Sequence, residues 1–109
     1  MSAITTHVLD AVLGKPAAGI AIHLEQKVDG LWTVTGNGET DSDGRCRNLI
    51  ADPKAGVYRL TFFVAAYFAH HDRKSIYPEV TIAFIVEGEQ HYHIPLLLSD
   101  NSYTTYRGS

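Results

Sequence analysis

Apolar and polar positions alternate along most of this chain in short runs separated by turn residues, the period of two that a strand imposes on its side chains. Ile4 to Asp10 sets Ile4, Thr6 and Val8 on one side and Thr5, His7 and Leu9 on the other, which predicts a first strand. Gly14-Lys15-Pro16 interrupts it, and Ile20 to Glu25 resumes with Ile20, Ile22 and Leu24 on a core face. Asp29-Gly30 reads as a hairpin turn and Leu31 to Thr35 as the return strand. Gly36-Asn37-Gly38 and Asp41-Ser42-Asp43-Gly44 then read as one long turn region that would present Arg45 from a loop. Val57 to Val64 is β-branched and aromatic, whereas Ala65 to His71 loses the alternation and predicts about two helical turns. Beyond Pro78, strands are expected at Val80 to Val86, at His91 to Leu98 after a turn at Gly88, and at Ser102 to Arg107. Roughly seven or eight strands, closely spaced turns and one short helix predict an all-β sandwich of two sheets joined by hairpin and Greek-key links.

Composition narrows this picture. The 109 residues suit a single domain, 1–109, and the 45% hydrophobic and 19% charged content is that of an ordinary globular chain. A net charge of −3 offers no basic field for phosphates, so nucleic acid is not an expected partner, and an anionic small molecule would need local cations. The single cysteine, Cys46, excludes an internal disulfide and fits a reducing compartment. Its neighbours Arg45 and Arg47 would activate a thiolate, but a lone cysteine without a partner is better read as a small filler. No apolar run approaches the ~20 residues that span a bilayer, and the first residues lack the basic and apolar segments of a signal peptide. A cytoplasmic protein with no membrane partner is expected.

Three polar clusters carry candidate chemistry: Thr6-His7-Val8-Leu9-Asp10, His91-Tyr92-His93-Ile94-Pro95 and the terminal Tyr106-Arg107-Gly108-Ser109. The last gathers a phenol, a guanidinium, a hydroxyl and a carboxylate where a strand stops. Strand parity turns His91 and His93 away from the core that Tyr92, Ile94, Leu96 and Leu98 would fill, and turns His7 away from Ile4 and Val8. His23, His70 and His71 are read as solvated residues. Three imidazoles, His7, His91 and His93, would suffice for zinc with an open position, but no carboxylate or thiolate pattern strengthens that set, and no metal is expected.

These motifs resemble those of the 5-hydroxyisourate hydrolases, or transthyretin-related proteins, and the resemblance runs from end to end. It also takes in Thr40-Asp41-Ser42-Asp43-Gly44-Arg45, Tyr77-Pro78-Glu79-Val80 and His91 to Ser99. The terminal tetrapeptide is its most specific part, because it separates the hydrolases from the hormone-carrying transthyretins. The resemblance implies a transthyretin-like (prealbumin-like) sandwich, a homotetramer built as a dimer of dimers, and no cofactor. It also implies opening of the 5-hydroxyisourate ring by His7, Arg45, His93 and Ser109, with Tyr106, Arg107, Gly108 and Ser109 bordering the substrate alongside His7 and Arg45. Either histidine would serve as general base, and Arg45 would hold the anion and the charge developing on the carbonyl oxygen. The alternative is a transthyretin-type carrier that binds a small molecule without reaction. Asp100-Asn101-Ser102 and Thr104 depart from the family's usual residues, which touches loop rigidity and substrate positioning more than chemistry.

Overall fold

Two sheets face each other across the apolar halves of their alternating strands. The structure, a computed structural model, describes residues 3–88 and 90–108. In chain order the elements are β1 (Ala3–Asp10), β2 (Lys15–Pro16), β3 (Ala21–Val28), β4 (Leu31–Glu39), β5 (Arg45–Ala51), β6 (Gly56–Phe63), α1 (Val64–His70), β7 (Val80–Val86), β8 (His91–Leu98) and β9 (Tyr103–Thr105). One sheet runs β2-β1-β8-β9, with β5 also paired to β1, and the other runs β4-β3-β6-β7. The pairing is antiparallel except between β1 and β8, which lie parallel with Thr5 opposite His93 and His7 opposite Pro95. Ile4, Val8, Leu96 and Leu98 from the first sheet meet Ile22, Leu24, Leu60 and Phe62 from the second, all buried, so the expected parity holds on β1, β3 and β8.

Local sequence explains the corners. Asp29 and Gly30 both take positive φ, 51° and 78°, the left-handed pair that a two-residue hairpin between Val28 and Leu31 needs. Val64, Tyr67 and Phe68, spaced i, i+3, i+4, bury one face of α1 against the core.

Three expectations are corrected. Gly36-Asn37-Gly38 is not a turn, because β4 continues to Glu39. The glycines are there for close approach: a Cβ on Gly36 would lie 2.0 Å from the Leu49 carbonyl oxygen, and one on Gly38 would lie 2.7 Å from Cys46 Sγ. Arg45 is not on a loop; it opens β5, and Cys46 packs into the core. The last strand covers Tyr103–Thr105 alone, and the chain returns to β8 through a single bridge between Gly108 and His93.

The end of β1 is anchored by a buried acid. Asp10 accepts from Tyr67 Oη at 2.7 Å and from Arg73 Nη1 at 2.5 Å, and caps the amides of Val12 and Leu13, each at 3.1 Å. Burial alone would raise its pKa, but the Arg73 and Tyr67 hydrogen bonds outweigh that and hold it down at about 2. Arg73 also reaches Asp100 at 2.6 Å, and Asn101 Oδ1 accepts the Ile76 amide at 3.0 Å. The departing residues Asp100 and Asn101 therefore tie the C-terminal loop to the segment after α1.

Candidate active site

β1 is central to its sheet, so it sets what lies beside it on the solvent face. Antiparallel pairing puts Arg45 of β5 opposite His7, and parallel pairing puts His93 of β8 opposite Thr5. Period two then brings Thr5, His7, Arg45, Arg47, His91 and His93 to one outward face. Thr5, Thr6, Arg45, Arg47, His91 and His93 line an open pocket of about 390 Å³. Neither arginine forms an ion pair among the described residues. Among the described residues, the pocket therefore offers an anion two guanidiniums and no acidic wall.

The histidines are held differently. His7 Nε2 lies 2.8 Å from the Asp43 carbonyl, which can only accept, so Nε2 carries the proton and a neutral His7 keeps its lone pair on Nδ1. His93 Nδ1 lies 2.8 Å from Thr5 Oγ1, whose other neighbour is His91 Nε2 at 2.9 Å. The His91 and His93 rings lie nearly parallel, with centroids 6.5 Å apart. Burial first, then the charges of Arg45, His7 and His91, push the His93 pKa below its ordinary 6.5. His93 is therefore a neutral imidazole near pH 7, able to accept a proton. Gly108 closes over it: its amide donates to the His93 carbonyl at 2.8 Å, and a Cβ there would lie 2.6 Å from His93 Cδ2.

Of the residues singled out from sequence, His7, Arg45, His93 and Gly108 come together here. Tyr106 and Arg107 lie elsewhere on the same chain, beside a smaller depression of about 240 Å³ shared with Phe84, Tyr92 and Ile94. Arg107 covers the Tyr92 ring at 4.5 Å and donates to Gln90 Oε1 at 2.8 Å. Ser109 lies outside the described residues. His23 packs edge-on against Phe63, and His71 bonds the Tyr67 carbonyl, both away from the pocket. Cys46 is buried, and burial pushes its thiol pKa up, opposite to activation. Among the described residues, no three His, Cys, Asp or Glu side chains converge as metal ligands. Among them, too, no helix is long and apolar enough to cross a membrane. Sequence reasoning missed Thr5 and Arg47, although each stands two residues from a chosen site residue on the same strand and thus on the same face.

Known proteins resemble this chain in sequence and in fold. The family model described as HIUase/Transthyretin family matches residues 4–108. The 5-hydroxyisourate hydrolase of Salmonella dublin is 43% identical over 97% of this chain and 80% of its own length, and that of Mus musculus is 41% identical over 99% and 96%. Among solved structures, Klebsiella pneumoniae 5-hydroxyisourate hydrolase superposes with a TM-score of 0.88 at 36% identity, covering 100% of both chains. Transthyretin from Sparus aurata superposes with a TM-score of 0.93 at 37% identity, covering 99% of this chain and 97% of its own. By sequence along nearly its whole length and by fold, this chain belongs to the HIUase/transthyretin family.

Proposed function

We propose that this protein hydrolyses 5-hydroxyisourate to 2-oxo-4-hydroxy-4-carboxy-5-ureidoimidazoline, a step of urate degradation. The observation that carries this reading is the face on which β1 sets His7 and Thr5 between Arg45 and His93. Cleaving a cyclic amide with water needs a base, a stabiliser for the developing oxyanion and a fixed orientation. His93, neutral at working pH, takes the proton of the attacking water, with His7 beside it, and returns it to the departing nitrogen. Arg45 binds the purine-derived anion and the oxygen on which charge builds. Gly108 lets the chain end lie against His93, and the Ser109 hydroxyl or carboxylate orients a histidine or the water.

The same reading makes the protein a cytoplasmic homotetramer, a dimer of dimers in which a second copy covers the open pocket and brings Tyr106 and Arg107 toward substrate. Its support is the exposed Tyr103 on edge strand β9, the exposed Ile85 on edge strand β7 and the exposed Tyr106 just beyond β9, surfaces suited to burial against another copy. Light scattering at micromolar concentration is expected to give four copies; a monomer would overturn this part.

A carrier of small molecules is the second reading, favoured by the likeness to the Sparus aurata transthyretin. The two separate in one assay. With 5-hydroxyisourate generated in situ by a urate oxidase, its ultraviolet absorbance should decay faster in the presence of this protein and lose that acceleration with His93→Asn. Decay at the spontaneous rate would favour the carrier.

A further inference from the structure

The hydroxyl of Thr5 stands between two imidazole nitrogens, 2.9 Å from His91 Nε2 and 2.8 Å from His93 Nδ1. A hydroxyl has one proton to give, so it donates to one of these rings and accepts from the other. The two tautomers are therefore linked. If His91 receives the proton, His93 must carry its own on Nδ1; if His93 receives it, His93 must be protonated on Nε2. Only the first arrangement leaves His93 a base, because Nδ1 faces Thr5 and the Cδ2 edge is covered by Gly108. Nε2 is then the ring nitrogen available to the pocket, with no partner among the described residues.

The surroundings decide between the two. Among the described residues, the charged groups facing His93 are Arg45 and Arg47 from β5, His7 from β1 and His91 on its own strand, and none of those lining the pocket is an acid. A positive field favours a lone pair pointing into it over an N–H dipole pointing the same way. His91 is exposed, so water can satisfy its Nδ1–H when its Nε2 accepts.

We propose that Thr5 is a positioning residue that passes its proton to His91 Nε2, accepts the Nδ1–H of His93, and so holds His93 as the tautomer whose Nε2 lone pair is open to substrate. His91 is part of the device, since without an acceptor there the hydroxyl proton turns to His93 and reverses its tautomer. Using that lone pair as a base rests on the hydrolase reading; the tautomer itself does not.

Nitrogen-15 NMR of the ligand-free protein at mildly alkaline pH reads the tautomer directly. In the wild type, His93 Nδ1 is expected at the protonated position and Nε2 at the unprotonated one. Thr5→Val, which keeps the β-branched shape without the hydroxyl, and His91→Ala should both shift His93 toward the Nε2–H form, and Thr5→Ser should restore the wild-type pattern. In turnover of 5-hydroxyisourate, Thr5→Val should lower kcat by about tenfold or more, within the ~10²–10⁴ that a general base supplies, with KM little changed and Thr5→Ser close to wild type. A wild-type His93 protonated on Nε2, or a Thr5→Val protein with unchanged nitrogen shifts, would overturn the proposal. Were the wild type to leave 5-hydroxyisourate decay unaccelerated, the hydrolase reading would fall, and the nitrogen shifts would still decide the tautomer.

Discussion

Gly108→Ala isolates what the end of the chain does for His93. The added methyl would lie 2.6 Å from His93 Cδ2 and 3.2 Å from Pro95 Cγ. Carbon atoms rest about 3.5–4.0 Å apart, so the imidazole or the chain end has to move by roughly 1 Å. Pro95 blocks one direction, and the amide of Gly108 is pinned to the His93 carbonyl at 2.8 Å, so much of the movement falls on the ring and on its 2.8 Å contact with Thr5. A misplacement of about 1 Å at a reacting group is worth on the order of 10²-fold in rate. Stability is little at risk, because Gly108 joins β8 through one isolated bridge beyond the last strand. The expected result is a kcat lower by about 10²-fold with a melting temperature near that of the wild type. The absorbance assay with 5-hydroxyisourate generated in situ measures the first and thermal unfolding the second. Full turnover in Gly108→Ala would refute the reasoning, showing either that the chain end yields freely or that His93 is not at the chemistry.

The other predictions address stability and pH. Asp10→Ala removes the acid shared by Arg73, Tyr67 and two amides; because Arg73 keeps Asp100, the loss should fall at the low end of the range for a broken buried ion pair, about 3 kcal/mol by urea denaturation. The same carboxyl drops from its ordinary 3.8 to about 2 on folding, so at about 1.4 kcal/mol per pH unit it contributes roughly 2 kcal/mol. That stability is present above pH 3.8 and lost as pH falls through about 2; acid unfolding of Asp10→Asn should lack this component. His93 is pushed below 6.5, so kcat/KM should rise through an acid limb lying below that value. Arg45→Gln, besides slowing turnover, should move that limb upward by removing the largest charge effect on His93, and an unmoved limb would place the limiting titration elsewhere. Gly36→Ala drives a methyl into the Leu49 carbonyl and should cost about 1–3 kcal/mol in thermal or urea melts, whereas a turn glycine with open space around it would tolerate the change.

The strands that face the core were legible because burial leaves a period-two mark: Ile4 and Val8, Ile22 and Leu24, and Ile94, Leu96 and Leu98 are all inside. β5 was not, because its pattern, Arg45-Cys46-Arg47-Asn48-Leu49, puts only Cys46 and Leu49 inward and breaks period two between them. Its register against β1 slips between the Ile4 and Thr6 pairings, and that bulge is what shifts the alternation. The glycines of β4 misled for a related reason. Gly36 and Gly38 are strand residues shaved to let β5 cross, and the requirement comes from Leu49 and Cys46, some ten residues away in sequence.

The candidate site divides along the same line. Which way His7, His91 and His93 point is a property of single strands, and parity alone assigned it. That Arg45 stands opposite His7 and Thr5 opposite His93 is a property of pairing, and β1 joins partners some forty residues away on one side and nearly ninety on the other. Position in the sheet then changes chemistry that composition cannot report. In a chain of net charge −3, the residues of this face collect two arginines without an ion-pair partner among the described residues, and burial together with the charge of Arg45 lowers the affinity of His93 for a proton. The arginines' field attracts an anion. A bound anion would offset the arginines' charge and raise the proton affinity of His93 at the moment a base is required. One arrangement thus keeps the imidazole neutral while it waits and makes it more basic once an anionic substrate arrives.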